Sequence, residues 1–235
     1  MPEQKAAAMW CWQQQQANLE GRRLRPIPPF PVEATMDKQI DYFAGLDLGK
    51  PSEFTALAVL ERTRLHEGGS RSDHFAVRHL QRFSIGTGYP EICATLARLF
   101  ADPPLRGAML AVDQTAVGKP VLAMLRRAPI GASIRPLTVT GGHRASLSDG
   151  SWLVPKQELV STLQVLFQTR RLKVAAGMLE AELLVQELLN FRMKVRVASE
   201  DPLSAWREGH HDDLVLAAAC AAWTGERGTQ RLWVA

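Results

Sequence analysis

A chain of 235 residues with 46% hydrophobic and 22% charged content can bury the core of one sizeable domain, which excludes wholesale disorder. Its net charge of +4 permits a polyanionic partner such as nucleic acid without demanding one. No segment is apolar enough to span a bilayer and no secretory signal is visible, so we expect a cytoplasmic protein with no membrane partner.

The three cysteines indicate neither a disulfide framework nor a zinc site. Cys11, Cys93 and Cys220 are odd in number, lie far apart and show no metal-ligand spacing. Cys220 lies in an alanine-rich apolar run, which is typical of a small core residue.

Residues 1–40 differ in composition from the rest of the chain. A glutamine run and three arginines are followed by four closely spaced prolines between Pro26 and Pro31. Proline at this density opposes both helix and strand pairing, so we predict a Pro/Gln-rich arm or linker. One globular domain is expected over residues 41–228, with a tail over residues 229–235.

The globular part begins with three apolar runs that turn-forming residues separate, a pattern typical of an antiparallel meander: Tyr42–Leu48, Phe54–Glu61 and Phe75–Phe83. Helices and short buried strands follow, with helices predicted near Pro90–Ala101, Gly118–Arg127, Pro155–Gln168, Leu179–Phe191 and Asp212–Trp223, and strands at Ala108–Val112 and Ser133–Val139. This order predicts an α/β fold with a mixed five-stranded sheet, its first three strands antiparallel, and helices on both faces.

Three acidic segments lie at the ends of predicted elements. Asp47 ends the first strand, Asp113 ends the next buried strand, and His210, Asp212 and Asp213 precede the last helix. Carboxylates at the ends of adjacent apolar strands are costly to desolvate unless a cation meets them. Mg²⁺ and Mn²⁺ prefer such oxygen ligands, and a third carboxylate would complete a site for two ions about 4 Å apart that cleaves phosphodiesters.

Each residue also has an ordinary interpretation. Asp47 could simply open a turn, and Asp113 could be a polar residue of a strand-to-helix loop. Asp212 is well placed to cap the last helix, while His210 and Asp213 could form a surface pair. The three segments together are more specific than any one of them.

These segments resemble the nuclease domain of the phage terminase large subunit family. The similar stretches occur in the same order as in the family: Gly45–Gly49 with Phe54–Val59, Ala111–Pro120, Trp152–Lys156, Arg171–Val174, and Gly209–Ala218. The resemblance implies an RNase H-like fold whose acidic cluster binds two Mg²⁺ or Mn²⁺ ions and cuts duplex DNA with little sequence preference.

The family pattern also implies roles for individual residues. Asp47, Asp113 and Asp213 would be the catalytic metal ligands, with Asp212 as the second candidate on the last helix. The related Holliday-junction resolvases carry a histidine three residues before the last aspartate, which here is His210.

The chain departs from the family pattern because it has no packaging ATPase motif. No GxxxxGK[ST] sequence is present, and Gly118-Lys119-Pro120 lacks the upstream glycine and the hydroxyl residue. We therefore expect either that the packaging motor is a separate chain or that this is a truncated or remnant prophage protein. The expected partners, in the host cytoplasm of a phage or prophage, are double-stranded DNA and a separate packaging ATPase, small terminase or portal.

Basic residues suggest where DNA would lie. Arg192, Lys194 and Arg196 alternate with apolar residues, so a strand here would present a basic face to phosphates, or a charged edge that prevents aggregation. Arg144 and Lys156 could flank the same cleft. No aromatic interleaving indicates base stacking, so we expect backbone contacts only.

Three other functions share parts of this pattern. Sugar kinases and actin-like ATPases begin with a similar Asp-x-Gly turn, but Asp149-Gly150 is the only candidate for their second phosphate loop. A junction resolvase would need branched DNA and dimerisation. A non-catalytic remnant would bind DNA or a motor subunit without metal-dependent cleavage.

Overall fold

The computed structural model describes residues 37–67, 70–175, 177–197 and 212–227, with only the backbone described over 191–197. Eight strands are formed: β1 Asp37–Asp47, β2 Thr55–Glu67, β3 Ser70–Phe83, β4 Met109–Asp113, β5 Ser133–Thr140, β6 Ser146–Ser148, β7 Ser151–Pro155 and β8 Leu172–Val174. Five helices accompany them: α1 Tyr89–Leu99, α2 Gly118–Arg127, α3 Lys156–Gln168, α4 Ala181–Val197 and α5 Asp213–Arg227.

All eight strands belong to one mixed sheet in the order β6-β7-β5-β4-β1-β2-β3-β8. The first three strands pair antiparallel, as predicted, while β4, β5 and β7 continue from β1 in parallel. The prediction of five strands is wrong because β6, β7 and β8 were not predicted. These strands have three, five and three residues, too few for an alternating pattern to stand out.

Helices cover both faces of the sheet, which confirms the predicted layering. On one face α1 and α2 pack over the apolar side chains of the central strands, such as Leu46 and Val112. On the other face α3, α4 and α5 pack over the alternate residues, such as Ala111 and Leu137. This division follows from the two-residue period of a strand. Within the described residues, no helix is both long and apolar enough to cross a membrane.

Helix α5 lies unusually close to the centre of the sheet. A side chain at Gly45 would bring its Cβ to 2.0 Å from the backbone oxygen of Ala217, so only glycine fits there. Five alanines of α5 are buried, and Cys220 is fully buried among them, as predicted from the apolar run. Small residues on both elements therefore hold the start of α5 near the end of β1.

The other end of α5 is held by a buried arginine on β2. Arg62 is 2% exposed, and its guanidinium lies over the ring of Phe43. It donates a 2.7 Å hydrogen bond to the backbone oxygen of Gly225 and a 2.5 Å bond to Asp41. Both ends of α5 are thus fixed against the first strands.

The stretch with Arg192, Lys194 and Arg196 is helical, so its interpretation as a strand is wrong. Its backbone forms the last part of α4, which continues six residues beyond the predicted end at Phe191. Methionine, lysine and arginine all favour helices, and an alternation this short does not outweigh continuation of an existing helix.

Candidate active site

Asp47 and Asp113 lie side by side at the carboxyl ends of two parallel strands. They are register partners in the pairing of β1 with β4. Partner residues in adjacent strands project to the same side of the sheet, so their carboxyl groups share one environment. The sequence predicted this adjacency from two apolar strands that each end in aspartate.

The pKa of Asp47 is raised well above its usual range, first by burial and then by the negative charges around it. These charges belong to Asp113, Asp213 and Asp212, in decreasing order of effect. Lys156 opposes the shift. Asp47, Asp113, Asp212 and Asp213, called the carboxylate cluster below, therefore converge from two strands and one helix.

Thr115 holds Asp113 in place. The carboxylate oxygen Oδ1 of Asp113 accepts a 2.9 Å hydrogen bond from the Thr115 backbone N–H and a short one from its hydroxyl. The same hydroxyl accepts a 2.7 Å bond from the backbone N–H of Val139 on β5. Burial raises the pKa of Asp113, and the bonds from Thr115 partly offset this rise.

Lys156 brings a positive charge to the carboxylate cluster. It is the first residue of α3, and its Nζ lies 3.1 Å from Oδ2 of Asp212. Both side chains are about three-quarters buried, with 24% and 23% exposure. One ammonium group faces four carboxyl groups, so the cluster keeps an excess of negative charge.

The start of α5 is capped by Glu187 of α4, a residue that the sequence analysis missed. Its Oε2 accepts hydrogen bonds of 3.0 and 3.1 Å from the backbone N–H groups of Leu214 and Val215. Asp212 therefore directs its carboxylate to Lys156, while a residue 27 positions before Leu214 satisfies the helix start.

Glu187 is 4% exposed, and burial raises its pKa to about 7, with a further contribution from Asp213. Arg82 lies 3.8 Å from its other oxygen. The available sequence signal was a glutamate on the apolar side of a helix, three residues after the buried Leu184.

The chemistry of these ligands suits a hard divalent cation. Carboxylate oxygens are the donors that Mg²⁺ and Mn²⁺ prefer, and the cluster has four carboxylates against one lysine. Among the described residues, no three acidic, histidine or cysteine side chains are already arranged to hold one ion. Ion binding would therefore require side chains of the cluster to reorient, with Asp212 exchanging Lys156 for a metal.

The remaining predicted site residues are distributed as follows. Arg144 is exposed in the loop between β5 and β6, on the side of β5 away from β4. Arg192, Lys194 and Arg196 belong to α4, and their side chains lie outside the described part of the structure. His210 also lies outside the described residues. The structure thus brings together Asp47, Asp113, Asp212, Asp213 and Lys156.

Comparison with solved structures identifies the architecture. Over 77% of this chain and 81% of the other, the structure is similar to the crystal structure of the large terminase nuclease from thermophilic phage G20c, with a TM-score of 0.50 and 20% sequence identity. The fold is that of a large terminase nuclease. This RNase H-like architecture is the one implied by the acidic segments. No protein-family model and no curated protein sequence matches the chain.

Proposed function

We propose that this protein is a divalent-metal-dependent endonuclease that hydrolyses phosphodiester bonds of duplex DNA, as in phage DNA packaging. The observation that carries the proposal is the pairing of Asp47 with Asp113 at adjacent strand ends. The acidic residues Asp212 and Asp213 at the start of α5 lie close enough to raise the pKa of Asp47 further. Buried carboxylates that repel one another destabilise the folded protein. Their presence together therefore favours a functional role over a structural one.

The proposed cofactor is a pair of Mg²⁺ or Mn²⁺ ions. When bound, two such ions activate water and stabilise the leaving oxygen of a phosphodiester. Asp47 and Asp113 would hold them from the sheet, and Asp213 from α5. Asp212 is a further ligand once it separates from Lys156, and His210 is proposed only on its family resemblance.

Two residues around the carboxylate cluster position its side chains, and a third is a candidate DNA contact. Thr115 fixes the orientation of the Asp113 carboxylate. Glu187 of α4 accepts hydrogen bonds from the first turn of α5 and so fixes the position of that turn, which includes Asp213. Lys156 would contact a DNA phosphate when Asp212 turns to the metal.

The proposed DNA contacts are confined to the sugar-phosphate backbone, which implies little sequence preference. Arg144 and the basic residues of α4 are the candidates named by the sequence, together with Lys156. Translocation would be supplied by a separate packaging ATPase, with the small terminase or portal as further partners. The arm predicted over residues 1–40 lies outside the described residues up to position 36, and Asp37–Ile40 belong to β1.

Cleavage of supercoiled plasmid in Mn²⁺, Mg²⁺ or EDTA tests the proposal. We expect metal-dependent nicking and linearisation that Asp47→Asn and Asp113→Asn abolish. Asp102→Asn, which changes an aspartate with an 85% exposed side chain outside the cluster, is the matched control and should retain activity. A folded wild-type protein that cleaves no DNA with any of these metals would refute an autonomous nuclease. Preference for a four-way junction over a plain duplex would instead indicate a resolvase.

A further inference from the structure

A basic cavity of about 570 Å³ opens between α2 and the strands β5 and β7, on the face of the sheet opposite the carboxylate cluster. Strand alternation explains its position. Leu137 and Val154 face the core under α3 and α5, so Thr138, one residue after Leu137, and Ser151, three residues before Val154, face the opposite side. Helix α2 covers β4 on that side and leaves β5 and β7 as the open floor of the cavity.

One face of α2 forms the wall of the cavity. Positions 119, 122, 123, 126 and 127 line it, which is the spacing of a single helical face. Lys119 occupies one end of this face, and Arg126 and Arg127 occupy the other. The rise from 119 to 127 is about 12 Å, the length of roughly three to four base-pair steps.

The charge of the cavity is not balanced within the protein. Lys119, Arg126 and Arg127 are exposed and form no ion pair in the described part of the chain, whereas Asp149 is the one carboxylate of the lining. Arginines elsewhere are neutralised, as where Arg64 and Arg71 both pair with Asp73. Three cations on one concave surface favour a ligand with several negative charges at regular spacing.

The cavity is connected to the carboxylate cluster through Gln114. This residue follows Asp113 directly, is 8% exposed, and donates hydrogen bonds of 3.3 Å to Thr138 and 3.1 Å to Ser151 on the cavity floor. These bonds fix the backbone of Gln114, and with it that of Asp113, relative to the cavity floor.

We propose that this cavity, which we call the α2 groove, binds the sugar-phosphate backbone of duplex DNA beyond the part that reaches the carboxylate cluster. The inference rests on the proposed function and adds a binding surface on the side of the sheet opposite α3 and α5. Arg126 and Arg127 would contact phosphates at the far end, and Lys119 would contact the phosphate nearest the cluster. None of the described residues that line the groove is aromatic, so we expect no base stacking there.

The salt dependence of DNA affinity tests the α2 groove. Affinity of a short duplex would be measured by fluorescence anisotropy in EDTA for the wild type and for the double variant R126Q/R127Q. Losing two phosphate contacts should reduce the slope of log affinity against log salt by about 1.8. Between about 50 and 200 mM salt the wild type should then lose about tenfold more affinity than the variant.

The double variant R98Q/R106Q is the matched control, because it removes the same charge from α1 and the loop after it. Its slope should stay close to that of the wild type. A wild-type slope retained in R126Q/R127Q, or an equal decrease in both double variants, would overturn the α2 groove while leaving the nuclease proposal intact. Absence of salt-dependent binding by the wild type, together with absence of cleavage, would instead refute the proposed function itself.

Discussion

The repulsion within the carboxylate cluster predicts that Asp47→Asn stabilises the protein in the absence of metal. Register partners on neighbouring strands lie about 4.8 Å apart, and at an effective dielectric constant of about 20 two such charges repel by about 3 kcal/mol. The amide of asparagine remains partly buried and offsets part of this gain, which leaves about 2 kcal/mol. For a chain of this size, that corresponds to a rise in melting temperature of about 4 to 8 °C.

The stabilisation should depend on pH in a defined direction. The pKa of Asp47 is raised in the folded protein, so the folded state holds the proton more tightly than the unfolded chain. Wild-type stability is therefore lost as pH rises from the unfolded pKa of about 4 towards the raised folded value. The difference between Asp47→Asn and the wild type should be largest near about pH 8 and should decrease towards about pH 4.

Differential scanning fluorimetry over this pH range, in EDTA and in Mn²⁺, measures both effects. Added Mn²⁺ should raise the melting temperature of the wild type and have little effect on Asp47→Asn, because the variant lacks one of the proposed ligands. If Asp47→Asn melts below the wild type at high pH in EDTA, the proposed repulsion between Asp47 and its neighbouring carboxylates is refuted. A difference that does not vary with pH would also contradict it.

Three further substitutions test how the cluster is held. Gly45→Ala should destabilise the protein by about 3 kcal/mol in urea unfolding, because its Cβ would lie 2.0 Å from the backbone oxygen of Ala217; unchanged stability would contradict the close approach of α5. Glu187→Ala leaves two N–H groups of α5 without their acceptor, so it should unfold at lower urea than Glu187→Gln, which keeps one acceptor oxygen; equal midpoints would exclude the capping role. Thr115→Val removes the hydroxyl that orients Asp113 and should weaken Mn²⁺ binding by about 10- to 100-fold in calorimetry, whereas undiminished affinity would show that the bond is dispensable.

The positions of the site residues at the strand ends could be predicted from the sequence. Asp47 and Asp113 each end an apolar run, and parallel strands bring their carboxyl ends to one edge, so their adjacency followed from local pattern and topology. Helix α2 has the predicted bounds, Gly118 to Arg127, because its apolar side is regular and a glycine stands at its first position.

Features that depend on contacts between distant elements were not predictable from one sequence. The role of Glu187 arises only when α4 packs beside the start of α5, and a lone glutamate in a helix gives no sign of this. Strand β2 extends to Glu67 rather than Glu61 because cross-strand ion pairs, such as that of Arg64 with Asp73, stabilise polar residues that sequence periodicity assigns to a loop. Asp212 likewise turns its carboxylate to Lys156 and leaves the capping of α5 to Glu187, two contacts with residues far along the chain, while its role as a metal ligand stays a prediction.

The most direct test of the central claim is the location of Mn²⁺ by anomalous scattering from crystals soaked in that ion. We expect anomalous peaks between the carboxylates of Asp47, Asp113 and Asp213, and we expect these peaks to be absent from crystals of Asp47→Asn. Well-ordered crystals with these carboxylates visible and no peak among them at saturating Mn²⁺, or peaks only elsewhere on the surface, would contradict it.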